Sequence, residues 1–289
     1  MTFGNVGKEP TLVWDKTIQV LRFFHEKQTT IPKLRFGLVT NGLKLRTKKA
    51  EQLNELMPTY LDISIDGDKE THDKIRGQGT FDITTTNIKN LSLELKNRLF
   101  ISFTANKWNL HVIPEMVDYL YNLGVRNFLV SPYVSTVVRG DDVDGKLFAN
   151  DSEIVNELRK LMDNTLIDFR NYQDLRIYMK IDYNTSFGLM QELQENKFIN
   201  TDNLFIDDYG VMFTKYEFGS NKVFFNYLPW DYTFVRSVRF SHDGYVGNCY
   251  DMFFKNYVDR TSGNVKNDFV ANILAHRNSK SIISNSVAL

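Results

Sequence analysis

The stretch that decides the fold runs from Tyr60 to Phe81 and reads Y-L-D-I-S-I-D-G-D-K-E-T-H-D-K-I-R-G-Q-G-T-F. Apolar and polar residues alternate at its start, which is typical of a strand whose two faces meet different surroundings. The apolar residues are Leu61, Ile63 and Ile65, and the polar ones are Asp62, Ser64 and Asp66. Turn residues then end the strand, and we expect a charged loop as far as Arg76-Gly77. A parallel strand buried on both faces is apolar throughout, so the polar face needs a separate explanation.

Strands and helices alternate from residue 1 to about residue 166, which is the pattern of a parallel α/β fold. The predicted helices are Asp15 to Gln28, Thr47 to Leu56, Ile88 to Leu95, Ile113 to Leu123 and Asp151 to Met162. The polar residues predicted on the inner face of the sheet are Ser64, Asp66, Ser102, Thr104 and Asn106. Because a closed barrel fills its interior with apolar side chains, this polarity favours a partial, open (β/α) barrel that holds a polar ligand. The alternative is a flat sheet with one solvated face.

The character of the sequence changes near residue 166. Beyond it, Phe, Tyr and Asn are frequent, and short strands are predicted at Leu204 to Ile206, Val223 to Tyr227 and Val235 to Phe240. The turn Ser241 to Gly244 predicts a hairpin with the strand that follows it. Residues 1–166 are therefore interpreted as the partial barrel, and residues 167–289 as a smaller α+β extension. The aromatic residues are attributed to core and hairpin packing, because no basic stripe accompanies them.

Composition excludes several classes of function. Lys and Arg together number 35, as do Asp and Glu, so no nucleic-acid surface is expected. No apolar run is long enough to span a membrane. The five His residues show no metal-binding spacing, and His72 beside Asp73 is more often a surface feature than a catalytic pair. The single cysteine, Cys249, excludes an internal disulfide and fits a reducing, cytoplasmic location.

The pattern S-x-D-G, H-D-x-x-R-G and then a small residue and Phe resembles the fourth strand and following loop of radical S-adenosylmethionine (radical SAM) enzymes. Four further segments resemble this family in the same order. They are Thr2 to Leu12 (the glycine-rich segment after the second strand), Leu34 to Gly42 (the third strand), Phe100 to Asn109 (the fifth) and Leu123 to Tyr133 (the turn into the sixth). Val238 to Cys249, and Gly263-Asn264-Val265 after it, resemble the SPASM or twitch extensions that follow many of these barrels.

The resemblance implies that S-adenosylmethionine is cleaved reductively at a 4Fe–4S cluster, and that the resulting 5′-deoxyadenosyl radical takes a hydrogen atom from a substrate. Gly7 and Glu9 would meet the amino group of the cofactor, Ser64 and Asp66 would face its ribose, and Arg76 would pair with its carboxylate. The other residues implied to line the cavity are Thr40, Asn41, Asn106 and Ser131. A SPASM-like extension implies a peptide or protein substrate. No catalytic residue is assigned.

The family motif C-x-x-x-C-x-x-C is missing, and one cysteine cannot supply the thiolates of a 4Fe–4S cluster. We therefore expect no cluster on this chain alone. The sequence is interpreted as N-terminally truncated, without the first strand, so that an upstream segment or a partner chain would carry the cluster. Two alternatives remain open: a degenerate barrel that binds or scaffolds a partner without catalysis, and an inactive truncated product.

Overall fold

A computed structural model describes residues 2–3, 9–32, 34–133, 151–162, 168–182, 187–198, 204–206, 212–228, 239–240, 245–247 and 263–264. The helices are α1 (Trp14–Lys27), α2 (Thr47–Leu56), α3 (Lys69–Arg76), α4 (Thr80–Lys89), α5 (Leu93–Asn97), α6 (Ile113–Asn122), α7 (Asp151–Met162) and α8 (Phe187–Glu195). The strands are β1 (Thr2–Phe3), β2 (Arg35–Thr40), β3 (Tyr60–Ser64), β4 (Leu99–Ala105), β5 (Asn127–Pro132), β6 (Arg176–Asp182), β7 (Leu204–Ile206), β8 (Met212–Phe218), β9 (Asn221–Leu228), β10 (Arg239–Phe240), β11 (Tyr245–Gly247) and β12 (Gly263–Asn264).

Nine of these strands form one sheet in the order β1-β2-β3-β4-β5-β6-β9-β8-β7. The strands from β1 to β6 are parallel, and β9 joins β6 in the same direction. At the far edge β8 pairs antiparallel with both β9 and β7, so β8 alone runs in the opposite direction within this sheet. Within the part of the chain that the structure describes, β1 and β7 are the two edges, so the sheet is open. The predicted α/β architecture with a mostly parallel, open sheet is confirmed.

One face of the sheet is buried under the helices. Alternate residues of each strand point into this core, and Leu61, Ile63 and Ile101 have no exposed surface. Removing such a side chain from water stabilises the fold by about 1.5–3 kcal/mol. The intervening residues of each strand therefore lie on the opposite, inner face, which includes the polar residues of β3 noted in the sequence.

The helix α6 shows how the sequence pattern produces the packing. Its apolar stripe, which includes Met116, Val117 and Leu120, is completely buried. Gly124 ends the helix with a positive φ of 95° and donates its N–H to the carbonyl of Tyr121 at 2.9 Å. Glycine is favoured at this position because it adopts a left-handed conformation without steric cost. The predicted helix and its termination are confirmed.

Two predictions about local structure were wrong. The charged segment before Gly77 is the helix α3 and not a loop, because the Asp68 carboxylate caps it by accepting the Thr71 N–H at 2.9 Å. The single helix predicted over Ile88 to Leu95 is two helices, α4 and α5. Ser92 begins the second by accepting the Leu95 N–H with its hydroxyl. In both places, a side-chain cap decides where a helix starts.

The sheet continues past residue 166, since β6 pairs with β5 and β9 pairs with β6. The division of the chain into two domains stays a prediction. The hairpin expected around residues 241–244 is seen as antiparallel pairing of β10 with β11, and β12 pairs with β11. Residues 235–238 of the predicted strand Val235 to Phe240 lie outside the described residues. None of the described helices is long and apolar enough to cross a membrane.

Candidate functional site

Glu9 lies against the carboxyl end of β2, where four hydrogen bonds fix its carboxylate. Its Oε1 accepts the Thr11 N–H at 3.0 Å, the Thr11 hydroxyl at 2.5 Å and the Thr40 hydroxyl at 2.6 Å. Its Oε2 accepts the Asn41 N–H at 2.8 Å. A carboxylate has about four lone-pair positions, two on each oxygen, so Oε2 can accept a further donor. The structure thus joins three of the predicted site residues, Glu9, Thr40 and Asn41, into one cluster.

The Glu9 cluster holds a negative charge at this edge of the sheet. Partial burial raises the pKa of Glu9, but hydrogen bonds from Asn41, Thr11 and Thr40 outweigh it and leave the pKa below its ordinary value. The carboxylate is therefore ionised at neutral pH. Gly7, the other residue predicted to meet the cofactor amino group, lies outside the described residues.

Asp66 and Arg76 form a second cluster at the carboxyl end of β3. Asp66 is only 4% exposed, and its Oδ2 accepts the Arg76 Nε–H at 2.5 Å. Its Oδ1 accepts the Thr104 N–H at 2.9 Å, which ties β3 to β4. The Arg76 side chain is 31% exposed. The predicted contacts of Asp66 with a ribose and of Arg76 with a carboxylate stay predictions, and the structure adds that these two residues bind each other.

His72 and Asp73 have structural roles. His72 is 1% exposed, and its Nδ1 accepts the Asp66 N–H at 3.0 Å. Burial, followed by the nearby Arg76 charge, lowers the pKa of His72 to about 4, so the ring is neutral. Asp73 accepts the N–H groups of Gly79 and Phe81 at 2.8 and 2.9 Å, at the start of α4. The expectation that this pair decorates the surface was wrong, because both side chains satisfy backbone groups that the fold buries.

The remaining predicted site residues follow the same edge. Ser64 ends β3, and Ser131 lies near the end of β5 beside Thr104 of β4. The hydroxyls of Ser64 and Ser131 have no hydrogen-bond partner among the described residues. Asn106 is buried and shapes its own turn, since its Oδ1 accepts the Trp108 N–H at 2.9 Å. Its predicted contact with a ligand stays a prediction.

The inner face is polar on only half of the sheet. Ser64, Ser102 and Thr104 lie on β3 and β4 as expected, whereas aromatic rings occupy the inner face farther along. The Phe100 ring lies 5.7 Å from Tyr178, and the Tyr178 ring stacks on Phe224 at 4.8 Å. The attribution of the aromatic residues after residue 200 to core and hairpin packing holds for Phe225 and Tyr227, which are buried, but not for Phe224, whose ring stacks on Tyr178.

Asp62 is the inner-face residue that sequence reasoning left out of the site. It is half-buried, and its Oδ1 is enclosed without a hydrogen-bond partner among the described residues. Burial raises the pKa of Asp62 to about 6, against lowering contributions from the Ser102 hydrogen bond, Arg76 and Lys180. The alternation that placed Ser64 on the inner face places Asp62 there too, so the signal was present in the sequence. What the sequence could not show is the missing partner.

The described residues do not fit an iron–sulfur cluster. No group of three or more His, Cys, Asp or Glu side chains in the described part of the chain is arranged to hold a metal ion. Cys249, the single thiol of the sequence, lies outside the described residues. Iron–sulfur clusters are held mainly by several thiolates, so this chain contains too few ligands for one.

Parts of the chain are similar in sequence to known proteins. No family model matches the chain. Fe-coproporphyrin III synthase of Methanosarcina barkeri is 33% identical over 115 residues, which are 39% of this chain and 27% of that protein. The sporulation killing factor maturation protein SkfB of Bacillus subtilis is 35% identical over 89 residues, 30% of this chain and 22% of its own length. The matched stretches therefore cover about a quarter of each relative.

Among solved structures, Streptococcus suis SuiB superposes on 94% of this chain and 54% of its own chain, with a TM-score of 0.62 and 14% identity. Its complex with S-adenosylmethionine gives a TM-score of 0.64 and 15% identity. These similarities support the resemblance to radical SAM enzymes that the sequence indicates. The partial-barrel fold implied by the radical SAM resemblance is thus confirmed. Within the motif of Tyr60 to Phe81, Asp66 forms hydrogen bonds with His72 and Arg76 just after the end of β3.

Proposed function

We propose that this chain is the S-adenosylmethionine-binding part of a radical SAM enzyme. The observation that supports the proposal is the row of charged and hydroxyl groups at the carboxyl ends of β2 to β5, in a fold shared with a protein solved in complex with S-adenosylmethionine. Ligands of open α/β sheets bind at the carboxyl ends of the strands. The row contains an anion held by hydrogen bonds, Glu9, and a partly exposed cation, Arg76.

The two charged clusters match the two charges of an amino acid. An ammonium group fits Glu9 Oε2, which has room for one more donor, and a carboxylate fits the terminal nitrogens of Arg76. The hydroxyls of Ser64 and Ser131 offer partners for a ribose. Asp66 accepts the Arg76 Nε–H and so holds the guanidinium at the end of β3. S-adenosylmethionine supplies radical chemistry when a 4Fe–4S cluster is present.

The cluster thiolates must come from outside this sequence, because Cys249 alone cannot replace them. We propose that a further segment or a partner chain carries them. The substrate is proposed to be a peptide or protein, supported by the name of SkfB as a maturation protein of a sporulation killing factor. Fe-coproporphyrin III synthase is named for a different product, so the substrate has to be tested directly. The similarity to enzymes gives no support to the alternative of a binding module without catalysis.

Calorimetric titration with S-adenosylhomocysteine tests the proposal, since this compound has the same ammonium, carboxylate and ribose groups and needs no cleavage. We expect one-to-one binding, and Glu9→Gln should weaken it about 10- to 100-fold, the usual effect of losing a hydrogen bond to a charged group. Adenosine, which has no ammonium group, should bind both proteins equally.

The matched control is Asp82→Asn, which removes an exposed carboxylate paired with Lys69 on the helical side of the fold. It should leave S-adenosylhomocysteine binding unchanged. If Glu9→Gln binds as tightly as the unmodified chain, the amino acid part of the cofactor does not meet Glu9, and the proposed site is wrong.

A further inference from the structure

Lys49 lies in the first turn of α2, beside the segment that carries Glu9. Its side chain is half-buried. A cation in the first turn of a helix is unfavourable for the helix itself, because the amino end of a helix carries a partial positive charge. The first turn of α2 has no acidic residue to compensate for it. The stability of α2 therefore does not explain why a lysine stands at this position.

The ammonium group of Lys49 binds the backbone of the turn that follows Glu9. This turn is a short 3₁₀ helix, Pro10–Val13, and Lys49 Nζ donates to the carbonyl of Thr11 at 2.7 Å. The same nitrogen lies 5.4 Å from the centre of the Trp14 ring, a cation–π contact that also favours this position of the ammonium group. Lys49 thus links α2 to the turn and to the start of α1.

Thr11 connects Lys49 with Glu9. It is 2% exposed, and its N–H and hydroxyl both donate to Glu9 Oε1, at 3.0 and 2.5 Å. Its carbonyl accepts the hydrogen bond from Lys49. One buried residue therefore contacts the cation through its carbonyl and the carboxylate through its two donors. Because hydrogen bonds weaken steeply as their angles change, a shift of Thr11 alters how the Glu9 carboxylate is held.

The helix that carries Lys49 is fixed by other contacts. Trp14 donates its Nε1–H to Gln52 Oε1 of α2 at 2.7 Å. Ala50 and Leu53 of the same helix are buried in the core. A residue that orients a binding group is effective when its own position is held by packing and hydrogen bonds. α2 therefore gives Lys49 a rigid base from which to hold the turn.

We propose that Lys49 is a positioning residue of the cofactor site: through Thr11 it holds the Glu9 carboxylate in the orientation that receives the ammonium group of S-adenosylmethionine. The proposal rests on the proposed function, in which Glu9 meets this ammonium group. In this role Lys49 makes no contact with the cofactor. Its removal should therefore weaken only the interactions that Glu9 makes.

Calorimetric titration of Lys49→Met with S-adenosylhomocysteine tests the proposal. We expect binding to weaken about fivefold, which is less than the effect of Glu9→Gln, because losing an indirect contact loosens the carboxylate without removing it. Lys49→Arg keeps a cationic donor and should restore most of the affinity. The matched control is Lys48→Met, since Lys48 is exposed in the same turn of α2, and it should bind normally. Adenosine, which lacks the ammonium group, should bind all of these proteins equally.

A double-mutant cycle separates positioning from direct contact and from a purely structural role. If Lys49 acts through Glu9, adding Lys49→Met to Glu9→Gln should cause no further loss of S-adenosylhomocysteine binding. An equal loss with and without Glu9 would mean that Lys49 contacts the ligand or supports the fold in general, and the proposal would be overturned. Unchanged affinity of the single variant Lys49→Met would overturn it as well.

The ligand-free chain provides a readout that does not depend on cofactor binding. The Asn41 N–H donates to the other oxygen of the Glu9 carboxylate, at 2.8 Å. In NMR spectra its amide proton should shift upfield in Lys49→Met, because a longer hydrogen bond deshields the proton less, and it should stay in place in Lys48→Met. This shift in a chain that binds no S-adenosylhomocysteine retains the positioning of Glu9 and rejects the cofactor site. Normal binding by Lys49→Met without the shift retains the cofactor site and rejects the role of Lys49.

Discussion

Replacing Asp62 by asparagine should change the pH dependence of stability. Burial raises the pKa of Asp62 in the folded chain to about 6, whereas the ordinary value is 3.8. The folded state therefore holds a proton that the unfolded state releases between these two values. Stability contributed by this proton is present below pH 3.8 and is lost as the pH rises through 6. Each unit of pKa difference corresponds to about 1.4 kcal/mol, so the total loss is about 3 kcal/mol.

An asparagine side chain cannot ionise, so Asp62→Asn escapes this loss. Urea unfolding should be measured at intervals from pH 4.5 to 7.5. Over this range the free energy of unfolding of the variant should rise by about 2 kcal/mol relative to that of the unmodified chain, since about a third of the loss has already occurred at pH 4.5. Asp82→Asn is the control, because the ion pair of Asp82 with Lys69 is exposed and contributes little to stability. If the free energies of unfolding of Asp62→Asn and the unmodified chain change in parallel with pH, burial does not raise the pKa of Asp62, and the reasoning is refuted.

Two further predictions concern Asp66 and iron. Asp66→Ala should destabilise the fold by about 1–3 kcal/mol, because it removes the acceptor of both the Arg76 Nε–H and the Thr104 N–H; an unchanged urea midpoint would show that these two hydrogen bonds are dispensable. Anaerobic reconstitution of the chain alone should yield no stoichiometric 4Fe–4S cluster, because Cys249 is its only thiol; four irons and four sulfides per chain would contradict this.

The sequence was a good guide to secondary structure wherever hydrophobic periodicity was strong. The alternation of Leu61, Ile63 and Ile65 with polar residues predicted β3, and the stripe through Met116 and Leu120 predicted α6. Periodicity worked here because both patterns record which side chains face the helices or the sheet. It failed between Asp68 and Gly77, where a helix of mostly polar residues depends on one capping carboxylate.

The sequence indicated which residues belong to the candidate site, but it did not indicate which of them contact each other. Family resemblance selected Glu9, Asp66 and Arg76, but only the structure shows that Glu9 binds the end of β2 and that Asp66 binds Arg76. Resemblance implied a cofactor contact for both members of the second pair. The residues of a family motif can be required for contacts with each other as well as for contacts with a ligand, and the motif alone does not distinguish the two.

The sequence by itself determined the order of strands and helices, the charge balance and the thiol count, because these are properties of neighbouring residues or of composition. Tertiary structure alone decided which inner-face groups are satisfied. Asp62 and Asp66 are four residues apart on one face, yet Asp66 has two partners and Asp62 Oδ1 has none among the described residues. The partners of Asp66 come from α3 and β4, and the neighbouring rings Phe100, Tyr178 and Phe224 come from β4, β6 and β9. Such pairings depend on strand register across more than a hundred residues, which local sequence patterns do not encode.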